Sequence, residues 1–311
     1  MKKKVIQIVL AVIVLLYIIL QFLPYPQADT KGIFRIEKGE RPLVIAHGGA
    51  KLMNPENTVM AFDYAYNIGV DVLEMDLRLT KDNVLITHHN ETIDETSDHT
   101  GLVMDYTYDE LVQMNFGAKF TDYEGKQPYK NLTQSELESY NGMLAPAKLE
   151  DLFKKYGNSI LYIIEIKDEG EAGRIAAKEL NRLIVKYDLH EQVQVASFIN
   201  DIMNYFNEIK DPRIETSLDF STAKKFIISN YAGFGIFFGY DGVGMQLPTS
   251  EYNIPLATKY LIWKIHKSGM YVHYWTVNEK DEMIKCIKNG ADGIITDRPD
   301  LLFEVLEELG Y

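Results

Sequence analysis

The sequence predicts an α/β protein: a TIM-type (β/α)8 barrel with a small insertion, preceded by one N-terminal transmembrane helix. Two observations lead there. Apolar strand-like runs alternate with segments of helical period over some 270 residues, which suits a parallel barrel better than a sandwich, with an open doubly wound sheet as the main competitor. Ahead of them, three lysines introduce a long apolar run that carries no charge. Hydrophobic residues make up 46% and charged residues 25%, the balance of a globular protein with a buried core. The formal charge of −13 lacks the basic footprint of a nucleic-acid binder, and the single cysteine, Cys286, excludes a disulfide-stapled fold.

Lys2, Lys3 and Lys4 precede the run Val5–Leu23. Nineteen residues at about 1.5 Å each reach about 28 Å, close to the hydrocarbon thickness of a bilayer. The alternative, a cleaved signal peptide, has a shorter apolar stretch and small residues at the cut, whereas Pro24, Tyr25 and Pro26 follow here. The expected layout is therefore an anchor over 1–23, a proline-bearing linker over 24–42 and a barrel over 43–311. By the positive-inside bias this gives a single-pass cell-membrane protein, its N-terminus cytoplasmic and its barrel extracellular.

In chain order, Leu43–Ala46, Val72–Leu79, Val84–Thr87, Ile160–Ile166, Val193–Phe198, Ile214–Leu218, Val243–Leu247, Met270–Val277 and Gly293–Thr296 read as strands. Helical periodicity marks Val59–Ile68, Leu149–Tyr156, Ala172–Tyr187, Thr222–Ser229, Thr258–Lys267, Asp281–Lys288 and Leu301–Leu309. Residues 100–148 break the rhythm. They are rich in glycine, tyrosine and polar residues, with only short helical pieces such as Tyr108–Met114, and read as an insertion near the mouth of the site.

The strand Val72–Leu79 turns Leu73, Met75, Leu77 and Leu79 to one face and Val72, Glu74, Asp76 and Arg78 to the other, because strand side chains alternate. Facing a barrel interior, two carboxylates about 6–7 Å apart are costly unless a positive charge joins them. Glu165 and Lys167 end a second strand in the same way. Three carboxylates from two strands form an all-oxygen site for a hard divalent cation, Ca²⁺ or Mg²⁺. His47 ends the first strand, and His88 or His89 ends the third; a histidine pair beside a cation is what acid–base cleavage of a phosphoester requires.

These residues stand in a recognisable order: Ile45-Ala46-His47-Gly48-Gly49, Pro55-Glu56-Asn57-Thr58, Glu74-x-Asp76, Thr80-Lys81-Asp82, His89, Glu165-x-Lys167, Trp275-Thr276-Val277-Asn278 and Gly290–Pro299. The series resembles the glycerophosphodiester phosphodiesterase family over nearly all of residues 43–305. The resemblance implies a TIM barrel and metal-dependent hydrolysis of glycerophosphodiesters to sn-glycerol 3-phosphate and an alcohol. It implies metal ligands at Glu74, Asp76 and Glu165 and acid–base histidines at His47 and His89. It also puts Glu56, Lys167 and Trp275 in or beside the pocket. Lysophospholipids or envelope glycerol-phosphate polymers are alternative substrates for a membrane-tethered enzyme.

Three positions depart from the family pattern. Where it has an arginine after the first histidine, an aspartate after the second and an arginine five residues further on, this chain has Gly48, Asn90 and Glu95. Gly48 removes a guanidinium able to grip phosphate, for which Lys51, Arg78 and Lys167 are the local substitutes. Loss of that grip is also the best support for a rival reading, a membrane-tethered binding protein with a retired site. Asn57 is read as the cap of the helix beginning at Val59.

Overall fold

A computed structural model describes residues 2–26, 32–37, 39–240 and 242–311. The N-terminal helix α1 (Lys2–Phe22) is long and apolar enough to cross a membrane and is exposed almost throughout, Gln21 being its buried residue. The eight parallel strands that follow are β1 (Leu43–Ala46), β2 (Val72–Leu79), β4 (Leu161–Ile166), β5 (Val193–Ala196), β6 (Glu215–Thr216), β7 (Gly244–Pro248), β10 (Tyr271–Trp275) and β11 (Gly293–Thr296). They lie in the order β6-β5-β4-β2-β1-β11-β10-β7, and a parallel bridge from Ser217 to Gly244 joins the two ends, so the sheet closes almost completely into a barrel. Eight helices alternate with them: α2 (Val59–Asn67), α5 (Leu149–Tyr156), α6 (Gly170–Lys186), α7 (Asn200–Ile209), α8 (Phe220–Tyr231), α9 (Lys259–Lys267), α10 (Lys280–Asn289) and α11 (Pro299–Glu308).

The third of the nine strand-like runs is no barrel stave. β3 (Leu85–Thr87) folds back antiparallel on β2 through a turn in which Asn83 takes the left-handed conformation, φ 59°. From its end the chain makes a long excursion containing α3 (Tyr108–Leu111) and α4 (Gln134–Ser139), each opened by a capping box, Thr107 with Glu110 and Thr133 with Glu136. The excursion has its own small core of Ile86, Ile93, Val103, Leu111, Met114 and Phe116. It reaches back over the barrel mouth, where Tyr123 N–H donates to Leu52 O and the Arg298 guanidinium stacks on the Tyr123 ring at 4.0 Å. A short hairpin of β8 (Ser250–Glu251) and β9 (Ile254–Pro255) stands beyond β7.

Period-two alternation sorts the strands as the sequence implies. Leu73, Met75, Leu77, Leu79, Tyr162, Ile164 and Ile166 pack outward among the helices, while Ile45, Val72, Ile163, Tyr271 and Ile295 fill the barrel. Gly244 makes room for that filling: a Cβ there would stand 2.2 Å from the Tyr271 ring. The floor comes from outside the barrel sequence. Phe34, fully buried, packs with this inner cluster, stacks on Tyr271 at 6.0 Å and accepts a hydrogen bond from His273 Nε2 on its carbonyl oxygen. α7 has no counterpart in the sequence reading. It buries Ile202, Met203 and Phe206, and three asparagines, weak helix formers, dilute its pattern.

Replacing Phe34 by alanine removes the aromatic floor and is expected to cost about 3–5 kcal/mol of stability. Urea denaturation of the full chain measures it, and a loss below about 1 kcal/mol would mean that other side chains fill the barrel bottom.

Candidate active site

Strand register draws the acidic residues together. β2 and β4 pair in parallel with Asp76 opposite Glu165, and Glu74 lies two residues back on the same face. One oxygen from each of Glu74, Asp76 and Glu165 lies within 4.8 Å of the other two. Oxygens ligating one ion at about 2.0–2.6 Å fall within such a span. Lys167 lies among them, its Nζ 3.1 Å from Asp76 Oδ1 and 2.9 Å from Glu165 Oε2. The remaining contacts fix the carboxylates. Gly48 N–H donates to Glu74 Oε2 at 2.9 Å, and Asn57 Nδ2 donates to Asp76 Oδ2 at 3.0 Å.

One lysine does not neutralise three buried carboxylates. Burial and the Asp76 charge push the Glu74 carboxyl up to about 8. Burial and Asp76 also raise Glu165, against the pull of Lys167. Asp76 stays below the usual carboxylate range, because Lys167, the two histidines and Asn57 outweigh its burial. An acid raised by burial and a neighbouring acid, among oxygen donors only, fits a hard cation and not a zinc-type ligand set.

His47, directly after β1, stands next to this cluster. Its Nδ1 is 2.6 Å from Asp297 Oδ1, and Asn278 Nδ2 donates to Asp297 Oδ2 at 2.7 Å. Burial lowers the imidazole, but the Asp297 hydrogen bond and the Glu74 charge overcome it and hold His47 at about 9. His89 is oriented by a second relay, its Nδ1 2.7 Å from Asn90 Oδ1, with Asn90 Nδ2 donating to Glu95 Oε2 at 2.6 Å. The two departures Asn90 and Glu95 thus form one hydrogen-bonded arm behind the second histidine. His88 turns away, buried edge-on to Phe116 with Nε2 3.1 Å from Thr92 O.

Other residues singled out from the sequence fall around this centre. Lys51 and Glu56 pair at 2.7 Å. Trp275 ends β10 and packs on Phe198, whose ring lies 5.9 Å from Lys167 Nζ. Arg78 is committed elsewhere: its guanidinium binds Asp168 Oδ1 at 2.9 Å, Lys167 O at 3.0 Å and His89 O at 3.1 Å, so it braces the segments carrying Lys167 and His89. Asn57 does not cap α2 as expected. Thr58 does, its Oγ1 accepting from Ala61 N–H, which frees Asn57 to hold Asp76. Asp297 is the important residue that the sequence reading leaves without a role. Its signal was its place after the last strand, β11, which pairs with β1 so that Thr296 sits opposite Ala46, one residue before His47.

Comparison with known proteins matches residues 47–301 to the glycerophosphoryl diester phosphodiesterase family. A glycerophosphodiester phosphodiesterase of Caldanaerobacter subterraneus is 30% identical, covering 87% of this chain and all of that relative. One from Bacillus subtilis is 28% identical, covering 96% of this chain and 97% of the relative. Among solved structures, a glycerophosphoryl diester phosphodiesterase domain from Mycobacterium tuberculosis superposes with a TM-score of 0.71 at 17% identity, covering 86% of this chain and all of that domain. With a family match over residues 47–301 and a relative 30% identical along its whole length, this chain belongs to the glycerophosphoryl diester phosphodiesterase family.

Proposed function

We propose that the protein hydrolyses glycerophosphodiesters in a cation-dependent reaction, with Glu74, Asp76 and Glu165 holding Ca²⁺ or Mg²⁺ and with His47 and His89 as the acid–base pair. The observation that carries this reading is the convergence of three carboxylates within 4.8 Å beside His47. Water adds across one P–O bond, leaving sn-glycerol 3-phosphate and releasing the alcohol. A bound divalent cation supplies Lewis-acid polarisation of the phosphate.

The chain's own residues do the rest. Asp297 on Nδ1 of His47, and Asn90 on Nδ1 of His89, leave each Nε2 to exchange a proton, one as base and one as acid. Lys167 places fixed positive charge where negative charge grows on the phosphate oxygens, the part that an arginine after His47 plays elsewhere in the family. Gly48 has φ +52°, and its N–H serves Glu74, so this position works through its backbone. Lys51 and Glu56 offer polar contacts to the glycerol end, with Trp275 as an apolar wall. α1 anchors the enzyme in the cell membrane as a single span, N-terminus inside and barrel outside.

Chelation of the full-length protein should abolish glycerophosphocholine turnover, and added Ca²⁺ or Mg²⁺ should restore it. Absence of turnover with either ion would favour the tethered binding protein instead, and wild-type turnover insensitive to chelator would overturn the cation's part in the reaction. Glu74→Gln should lose roughly 10²–10³ in kcat and the response to added cation. Asp297→Asn should lower kcat by about 10²–10⁴ with little change in KM. Because Asp297 raises the His47 pKa, its loss should also move the pH–rate limb governed by His47 to lower pH; an unmoved profile would show that Asp297 serves the fold alone.

A further inference from the structure

An apolar groove of about 1160 Å³ leaves the same barrel mouth. It runs from the C-terminal ends of β5, β6 and β7 along α8, with the β8–β9 hairpin as its other wall. Phe198 and Trp275 line its inner end, and Phe198 also faces Lys167, so the groove begins where the carboxylate cluster stops. Along its length Ile228 of α8 and Ile254 of the hairpin are 59% and 55% exposed. Tyr252 at the hairpin tip is 87% exposed and has φ +48°, a conformation bulky residues rarely adopt. So much apolar surface in one channel marks a binding site.

The outer end of the groove meets α1. Tyr231 and Tyr260 line it, their rings 5.5 Å apart. The same two residues hold the helix: Tyr17 Oη donates to Tyr231 O at 3.3 Å, and Tyr260 Oη donates to Gln21 Oε1 at 2.9 Å. Tyr17 lies five residues before the end of α1, about 7.5 Å along its axis. With α1 in a bilayer, the end of α8 therefore sits at the depth of the headgroup–acyl boundary. Phe234 and Phe237, both exposed, follow directly after it. With α1 in a bilayer the channel thus connects a lipid surface to a phosphodiester site, and its walls are mostly apolar between the two.

We propose that this groove is an acyl-chain subsite, and that the enzyme takes a monoacyl glycerophosphodiester from the leaflet around α1. The chain lies between α8 and the hairpin while the diester reaches the carboxylate cluster; the proposal rests on the diesterase reading above and on α1 lying in the membrane. Water then adds across the P–O bond to the headgroup. Its hydroxyl joins phosphorus, its other proton goes to the leaving alcohol oxygen, and a monoacylglycerol phosphate remains.

The test uses the full-length chain in phosphatidylcholine vesicles. The kcat/KM for a lysophosphatidylcholine is compared with that for glycerophosphocholine, in wild type and in Ile228→Glu and Ile254→Glu, which alter exposed side chains. The acylated-to-deacylated ratio is expected to fall at least tenfold in both variants, and an unchanged ratio overturns the proposal. A second readout needs no turnover. In Trp263→Phe, Trp275 is the sole tryptophan; its fluorescence should be quenched by a lysophosphatidylcholine brominated on its chain, and much less after Ile228→Glu. Absence of quenching, or equal quenching by a brominated diacyl lipid, overturns the single-chain subsite. Failure of the diesterase reading shows separately, as no turnover of either substrate by a chain whose Trp275 is quenched.

Discussion

Buried like charge is the constraint around which this molecule is arranged. The parallel register of β2 and β4 fixes Asp76 beside Glu165, and the period of two brings Glu74 to the same face. Nothing in the backbone ladder can relax that crowding without moving two barrel strands. The surroundings therefore compensate, with Lys167 between two of the acids, a backbone N–H on Glu74 and an amide on Asp76. These contacts reduce the electrostatic cost but leave Glu74 well above its ordinary range, so the scaffold holds standing demand for positive charge. Such a cluster suits a hard divalent ion, and the imidazole beside it is already oriented by Asp297.

Much of this was legible in the chain itself, because the signals are local. Alternation along Val72–Leu79 and Leu161–Ile166 separates helix-facing from barrel-facing residues, and the acids fall on the inner side in both. What the sequence hides is pairing between distant segments. Arg78 shares a face with Glu74 and Asp76 and so reads as a phosphate ligand, yet its long side chain reaches Asp168 and two backbone carbonyls instead. Asn57 reads as a cap because it precedes a helix, although Thr58, one residue on, has the capping geometry. Glu95 has no meaning until Asn90 is seen bridging it to His89. Phe34 and α7 are hidden for different reasons: one is an isolated aromatic in a polar stretch, the other a helix whose asparagines weaken its periodicity.

The N-terminal segment does more than connect. The last turns of α1 lie against α8 and α9, where Lys264 and Lys267 donate to Gln21 O at the helix C-terminus, favourable charge for that end of the dipole. Tyr25, Asn230 and Lys264 form a buried hydrogen-bonded set just beyond. Orientation of the barrel mouth relative to α1 is thereby fixed by polar contacts as well as by the chain connection. Phe34 then carries the same segment into the barrel floor.

The pairing of His47 with Asp297 spans 250 positions and joins the first strand to the last. Because that carboxylate arrives only when β11 completes the ring beside β1, a ribosome-bound fragment or a protein clipped near its C-terminus would keep its three acids and its N-terminal helix but lack an oriented first imidazole. An oriented first imidazole is in this way coupled to full closure of the barrel.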